Sequence, residues 1–411
     1  MKQNNLFLRN NIPTKYLKNN SLKKLSKEYE KNILEIKNDI KNSKKTLNIL
    51  DSKFKFNFKT KDLEKFRKFR TIALIGMGGS ILGSEAVYNF LEEKIKKKIY
   101  FFDNLDEKKI LKFKKKENLA KVLFLIISKS GSTVETLVNA FTLNIIKRNS
   151  KNVILISERN NNILFSLSKK FNLFHFEHKK HIGGRYSIFS EAGIIPAYLM
   201  GVNIFKLRSK ILNFLKGKNK LFLRDSSIKL ANLMISKKIN NLILINYSPE
   251  LEKFLFWCQQ LIAESLGKQS KGFLPVVSNA PKDHHSLLQL YLDGPKDKLF
   301  NIFSFEGKSQ IKKLNLKKII NRNNFLNQKK LSTVKIAQKN ALIKAFKKNK
   351  IPFREFKIKQ INEEVLGKLF SYFILETVII GKLAKINPFD QPAVEQVKVY
   401  TNKLLSKINQ I

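Results

Sequence analysis

The stretch that decides the fold is VLFLIISKSGSTVET, residues 122–136. Six consecutive apolar residues match a strand buried on both faces. They empty into a turn of serines, a lysine, a glycine and a threonine, and then into a helix-like pattern. Unpaired backbone N–H groups and the helix dipole favour an anion at such a strand-to-helix turn. Ser128, Lys129, Ser130, Ser132 and Thr133 therefore read as a phosphate cradle, although the same hydroxyls also serve as ordinary helix caps.

Outward from this strand the pattern repeats. TIALI (71–75), IYFFD (99–103), NVILIS (152–157) and FNLFHF (171–176) flank it, separated by amphipathic stretches. Continuous apolar runs alternating with helices indicate a parallel sheet covered on both sides. A second series, NLILIN (241–246), FLPVVS (273–278), KLFNIF (298–303) and IPFREF (351–356), follows a helical connection at 203–236. The expected fold is α/β, with two doubly wound parallel-sheet domains. Residues 1–50 carry Ile33, Ile36, Ile40, Leu47 and Leu50 at helical spacing and read as a helical lead-in.

Ligands in such sheets bind outside the carboxyl ends of the strands. The first strand feeds GMGGSILGS (76–84), whose glycines admit a ligand close to the backbone and whose Ser80 opens the next helix. The third glycine of a dinucleotide fingerprint is missing. Two polar turns at neighbouring strand ends fit a monophosphate with a polyhydroxyl body.

Composition bounds the alternatives. With 411 residues, 43% hydrophobic, the chain can hold two globular domains. The single Cys258 excludes an intrachain disulfide and fits a reducing cytoplasm. MKQNNLFLRNN has no signal-peptide core, and LFSYFILETVIIGKLA is broken by Glu376, so no membrane partner is expected. The net charge of +48 suggests nucleic acid, but the lysines are scattered and accompany no recognition motif. An A/T-rich codon bias toward Lys, Asn, Ile and Phe explains them as economically. Anionic substrates should still be attracted, less so at high salt.

Among further candidates, Gln260 and Glu264 lie four apart near the end of the helix-like 248–268, with Ser248 as its expected cap. The helix dipole and neighbours Leu261, Ile262 and Leu266 disfavour a carboxylate charge there, as a proton acceptor needs; an exposed pair of Glu264 with Lys268 is the alternative. His284 and His285 follow a Pro-Lys-Asp turn and suit either proton transfer or capping. His175, His178 and His181 recur every third residue, but strand geometry keeps them from a common metal. Gln391, Glu395 and Lys398 are spaced to share one helix face.

GGRYS (183–187), FDQPAVEQVK (389–398) and the turns above resemble the phosphoglucose isomerase family, sugar isomerases with two SIS-type domains. Gly381, Phe389-Asp390-Gln391, Ala393-Val394-Glu395 and Lys398 match its late signature, while Lys180 and Glu191 depart from the residues more often found flanking the first. The resemblance covers positions 70–400; with the helical segment 1–50 read from its spacing, the expected division is SIS-type domains at 51–202 and 203–385 and a C-terminal helix, 386–411, completing the site. It implies interconversion of glucose 6-phosphate and fructose 6-phosphate through an enediolate, in glycolysis and gluconeogenesis, without metal or organic cofactor. Glu264 would move the proton and Arg185 would steady the enediolate. His285 and Lys398 would open the ring. Ser128, Lys129, Ser130 and Thr133 would hold the phosphate, and Ser80, Gln260 and Gln391 would line the sugar. The ring-opening histidine comes from a neighbouring subunit in the family, implying a homodimer. Activity on mannose 6-phosphate as well, a non-catalytic SIS-type sensor, and a nucleic-acid binder are the rival readings.

Overall fold

The computed structural model describes residues 5–307, 311–315 and 325–408. Its first sheet comprises β2 (Thr71–Gly76), β3 (Lys98–Phe102), β4 (Val122–Ile127), β5 (Val153–Ser157) and β6 (Phe174–Glu177). They are all parallel, in the order β3-β2-β4-β5-β6. All six residues of β4 are buried, as its unbroken apolar run requires. The order reverses between β2 and β4, so the turns after these two strands face one crevice.

The second sheet has the order β1-β10-β9-β7-β8, from β1 (Leu6–Asn11), β7 (Asn241–Asn246), β8 (Leu274–Asn279), β9 (Lys298–Phe305) and β10 (Phe353–Ile358). All pairings are parallel except that of β1 with β10. This corrects the purely helical reading of the first 50 residues. Only three apolar residues precede the polar Arg9-Asn10-Asn11, and the strand is completed by pairing with an edge near the other end of the sequence, which no local pattern reports. The helix Asn19–Lys41 does form, burying Leu25, Tyr29, Ile33, Ile36 and Ile40 on one face.

Three strands begin later than their apolar runs: β8 by one residue, at Leu274, and β6 and β10 by more. Asn172 and Lys350 take left-handed conformations that end the preceding helices, so β6 starts at Phe174 and β10 at Phe353. Between the sheets the helices Glu252–Leu266 and Glu363–Leu383 pack through Phe254, Trp257, Phe370 and Phe373. Glu376, which interrupts the late apolar segment, is buried against Arg354 at 2.5 Å, and Tyr372 and Ser226 also bond to it at 2.6 Å. A buried charge is tolerated when so paired. Among the described residues no helix is long and apolar enough to cross a membrane.

Candidate active site

Two glycine-containing turns make the floor of the crevice. A Cβ on Gly79 would lie 2.2 Å from the carbonyl carbon of Gly184 and 2.3 Å from the Arg185 nitrogen, so the GMGGS and GGRYS loops touch backbone to backbone. Ser187 Oγ donates to the Gly79 carbonyl at 3.2 Å across this contact. Ser80 is half-buried on the first loop. Gly131, at φ +65°, allows the cradle to fold over Asn162, whose side chain would clash with any Cβ there.

In the cradle, the Ser128 and Thr133 hydroxyls bond to each other at 2.8 Å. Thr133 stands at the helix N-cap position but makes no side-chain cap bond, leaving the first N–H groups of helix Val134–Thr142 to other acceptors. Ser130 is exposed, and the Lys129 ammonium lies 3.7 Å from Glu158. Burial holds the Lys129 pKa below the usual lysine range despite Glu158; the charges of Arg185 and Lys180 lower it further. A dianionic phosphate would relieve that penalty.

Arg185 occupies the centre, with its side chain 2% exposed. All five of its N–H donors are engaged. Nε donates to Ser265 Oγ at 2.8 Å, Nη1 to Glu264 Oε2 at 3.2 Å and to Gln391 Oε1, and Nη2 to the carbonyls of Pro388 at 2.7 Å and Asp390 at 2.9 Å. The buried Tyr186 hydroxyl bonds to Ser265 Oγ at 2.8 Å and donates to the Pro388 carbonyl at 2.9 Å. A planar cation with fixed donors suits this packed arrangement.

Glu264 lies in the last turn of the helix Glu252–Leu266, with 27% of its side chain exposed. Its Oε1 accepts from Gln260 Nε2 at 2.9 Å, and its Oε2 faces Arg185. The apolar company expected from the sequence is replaced by a guanidinium from another loop. Lys268, the alternative partner, turns instead to Asp390 at 2.6 Å. Gln260 and Gln391, expected to line the sugar, position Glu264 and Arg185 through these bonds. Ser248 makes no side-chain cap; its hydroxyl accepts from Phe305 N–H at 2.6 Å, tying β7 to β9 at the second sheet's own switch point.

His285 and Lys398 are not joined to this group by any hydrogen bond or ion pair among the described residues. His284 Nε2 bonds to the buried Tyr247 hydroxyl at 2.8 Å, whereas His285 is exposed. The final helix runs Val394–Ile408, so Gln391 precedes it and shares no helix face with Glu395 and Lys398, which pair at 2.7 Å in solvent. The Pro392 ring disfavours helical backbone at Gln391, which keeps that residue outside the helix. Of the three spaced histidines, His175 bonds to Ser157 Oγ and His178 to the Lys179 carbonyl, each with its own partner. Sequence reasoning missed Ser265, Tyr186 and Asp390 as supports of Arg185, although each sits within or beside a motif already singled out.

The phosphoglucose isomerase family model matches residues 36–411. A glucose-6-phosphate isomerase of Methanocaldococcus jannaschii is 32% identical over 364 residues, 84% of this chain and 88% of that protein. A hypothetical protein of Thermus thermophilus superimposes with a TM-score of 0.80 at 25% identity, covering 97% of this chain and all of that one. A glucose-6-phosphate isomerase from Chlamydia trachomatis shares the fold at a TM-score of 0.70 and 19% identity, covering 85% and 72% of the two chains. With the crevice, the carboxylate and the arginine in one place and the family pattern running through nearly the whole sequence, the chain belongs to the phosphoglucose isomerase family.

Proposed function

We propose that Glu264 is the proton-transferring base of an aldose–ketose isomerase, with Arg185 as its fixed counter-charge and the 128–133 turn as the phosphate site. The reaction, interconversion of glucose 6-phosphate and fructose 6-phosphate, follows from membership of the family. The observation that carries the residue roles is the Glu264 carboxylate held by Gln260 and Arg185 above the glycine turn, with the Arg185 charge felt at Lys129.

Isomerisation moves one proton between adjacent carbons and passes through an enediolate. When Glu264 takes the proton from carbon, its negative charge disappears and an equal one grows on the sugar oxygens. Arg185 has no spare donor for those oxygens while Glu264 is ionised. Protonation of Glu264 weakens the Nη1 bond to Oε2, so the same guanidinium can answer the new charge. A unit charge ~4 Å away at an effective dielectric of ~20 is worth about 4 kcal/mol, a large share of a catalytic effect. The proton then returns to the neighbouring carbon, and the hydroxyl proton on O2 passes to O1, which leaves the carbonyl at C2.

Ring opening is assigned to His285 and Lys398, with His284 set aside because Tyr247 already engages it. Both assigned groups are exposed in the single chain, and the helix Val394–Ile408 exposes Val397, Tyr400 and Leu404. A homodimer in which a second copy approaches the crevice accounts for both, and a cytoplasmic location accords with the lone buried Cys258. The division at residues 51–202 and 203–385 accords with the first sheet's span and with every strand of the second except β1.

Replacing Glu264 with Gln tests the base. It should lower kcat by several orders of magnitude while leaving sugar-phosphate binding nearly unchanged, because shape and hydrogen bonds persist. Comparable loss of both, or retention of turnover, would contradict the assignment.

A further inference from the structure

We propose that Lys268 is a positioning residue for the isomerisation, latching the segment 387–391 onto the end of the helix that carries Glu264. The inference rests on the roles given above to Glu264 and Arg185. The Lys268 ammonium donates to three acceptors on that segment: the Asn387 carbonyl at 2.5 Å, the Asp390 carbonyl at 2.5 Å and Asp390 Oδ1 at 2.6 Å. Its side chain is 13% exposed while that of Asp390 is 51% exposed, so the ammonium is held against the segment and the carboxylate it meets still reaches solvent. Asp390 Oδ2 is in turn held by the Asn387 amide at 2.8 Å.

The segment matters because it supplies three of the five acceptors that fix Arg185: the Pro388 and Asp390 carbonyls and the Gln391 amide oxygen. Beyond it the chain runs into the exposed helix Val394–Ile408, which gives it no support from the C-terminal side. Its other tethers include the packing of Phe389 on Tyr186 and of Pro388 on Gly381, the Tyr186 hydroxyl and Arg185 itself. The bonds between Arg185 and the segment fix the two relative to each other, not relative to the helix that carries Glu264. Lys268, just beyond the end of the Glu264 helix, provides an independent charged anchor and sets the acceptors of the arginine relative to the base. A lysine that never touches the sugar thereby controls the distance between base and counter-charge.

The test uses the full-length enzyme and the variants Lys268→Ala, Lys268→Arg, Asp390→Ala and the double alanine variant, with Glu264→Gln as control. Steady-state turnover of fructose 6-phosphate is measured alongside direct binding of glucitol 6-phosphate, a reduced sugar that cannot isomerise. Small misplacement of catalytic groups can cost up to ~100-fold, so Lys268→Ala should lower kcat by about 10- to 100-fold. KM and glucitol 6-phosphate binding should stay within about two-fold, and Lys268→Arg should recover most of the loss. Because Lys268 and Asp390 act as one latch, the double variant should lose no more than Lys268→Ala alone. If Lys268→Ala does not fold, Asp390→Ala, on a half-exposed side chain, carries the same kcat-against-KM comparison. Unchanged kcat in a folded variant, equal changes in kcat and binding, or additive losses would overturn the latch while an inactive Glu264→Gln leaves the base assignment standing. An active Glu264→Gln would overturn both.

Discussion

Replacing Arg185 with Lys keeps the positive charge and removes geometry, and the structure says how much geometry there is to lose. The guanidinium spends all five donors on five acceptors, and its side chain is 2% exposed. An ammonium has three donors, so at least two of those five bonds are lost. Ser265 Oγ and the Pro388 and Asp390 carbonyls each keep a second donor in Tyr186 or Lys268, so the cost is the net worth of the lost bonds to a charged group, about 1.5–3 kcal/mol each and about 3–6 kcal/mol for the pair. Part of this falls on stability and part on the Glu264 carboxylate, whose Oε2 loses a fixed neighbour. Loss of a preorganised donor at a developing oxyanion lowers kcat by about 100- to 1,000-fold, and that is the expected range here. Ser265→Ala is the graded control: it removes the Nε acceptor and one bond of the Tyr186 hydroxyl, which keeps the Pro388 carbonyl, and about 1 kcal/mol corresponds to a factor of about 5. Glucose 6-phosphate formation from fructose 6-phosphate, coupled to a dehydrogenase, reads both variants, and unfolding in denaturant separates the stability share. An Arg185→Lys enzyme within about three-fold of the parent kcat would refute the reasoning, since charge alone would then suffice.

Lys129→Ala should raise KM by about 10- to 100-fold with kcat little changed, because a charge-assisted hydrogen bond to phosphate is worth about 1.5–3 kcal/mol; an unchanged KM in the same coupled assay would contradict the cradle. Burial and the Lys129 charge push the His178 pKa from the ordinary 6.5 down to about 4, so the folded protein keeps this ring neutral where the unfolded chain binds a proton. The resulting stability is fully present above pH 6.5 and drains away as pH falls toward 4, by about 3 kcal/mol for this one group. An NMR titration in which His178 gains its proton near its ordinary pKa would show that account to be wrong.

Much of the fold was legible because parallel strands buried on both faces write themselves as unbroken apolar runs. VLFLII and NLILIN coincide residue for residue with β4 and β7. Where the boundary depended on a left-handed residue closing a helix, as at Asn172 and Lys350, the apolar run began ahead of the strand itself. β1 escaped because an edge strand with a polar second half gains its pairing from distant β10, not from its own pattern. The site was legible as a set of motifs and illegible as a set of contacts. Gln260 and Glu264 share a face as their spacing requires, but nothing local says that Gln391 turns to Arg185 or that Lys268 takes Asp390 in preference to Glu264.

The sequence by itself determined the parallel strands of two sheets, a polar cradle after one strand, and a carboxylate, an arginine and a glycine turn of the kind sugar isomerisation needs. Hydrophobic periodicity and turn chemistry are local properties, readable within a short window of residues. Only the tertiary structure decided that Arg185 uses every donor it has, that its acceptors come from separate segments of the chain, and that Glu264 faces a cation rather than an apolar wall. Those are contacts between residues up to 206 positions apart, and their geometry is set by how the Gly79 and Gly184 backbones meet across the crevice.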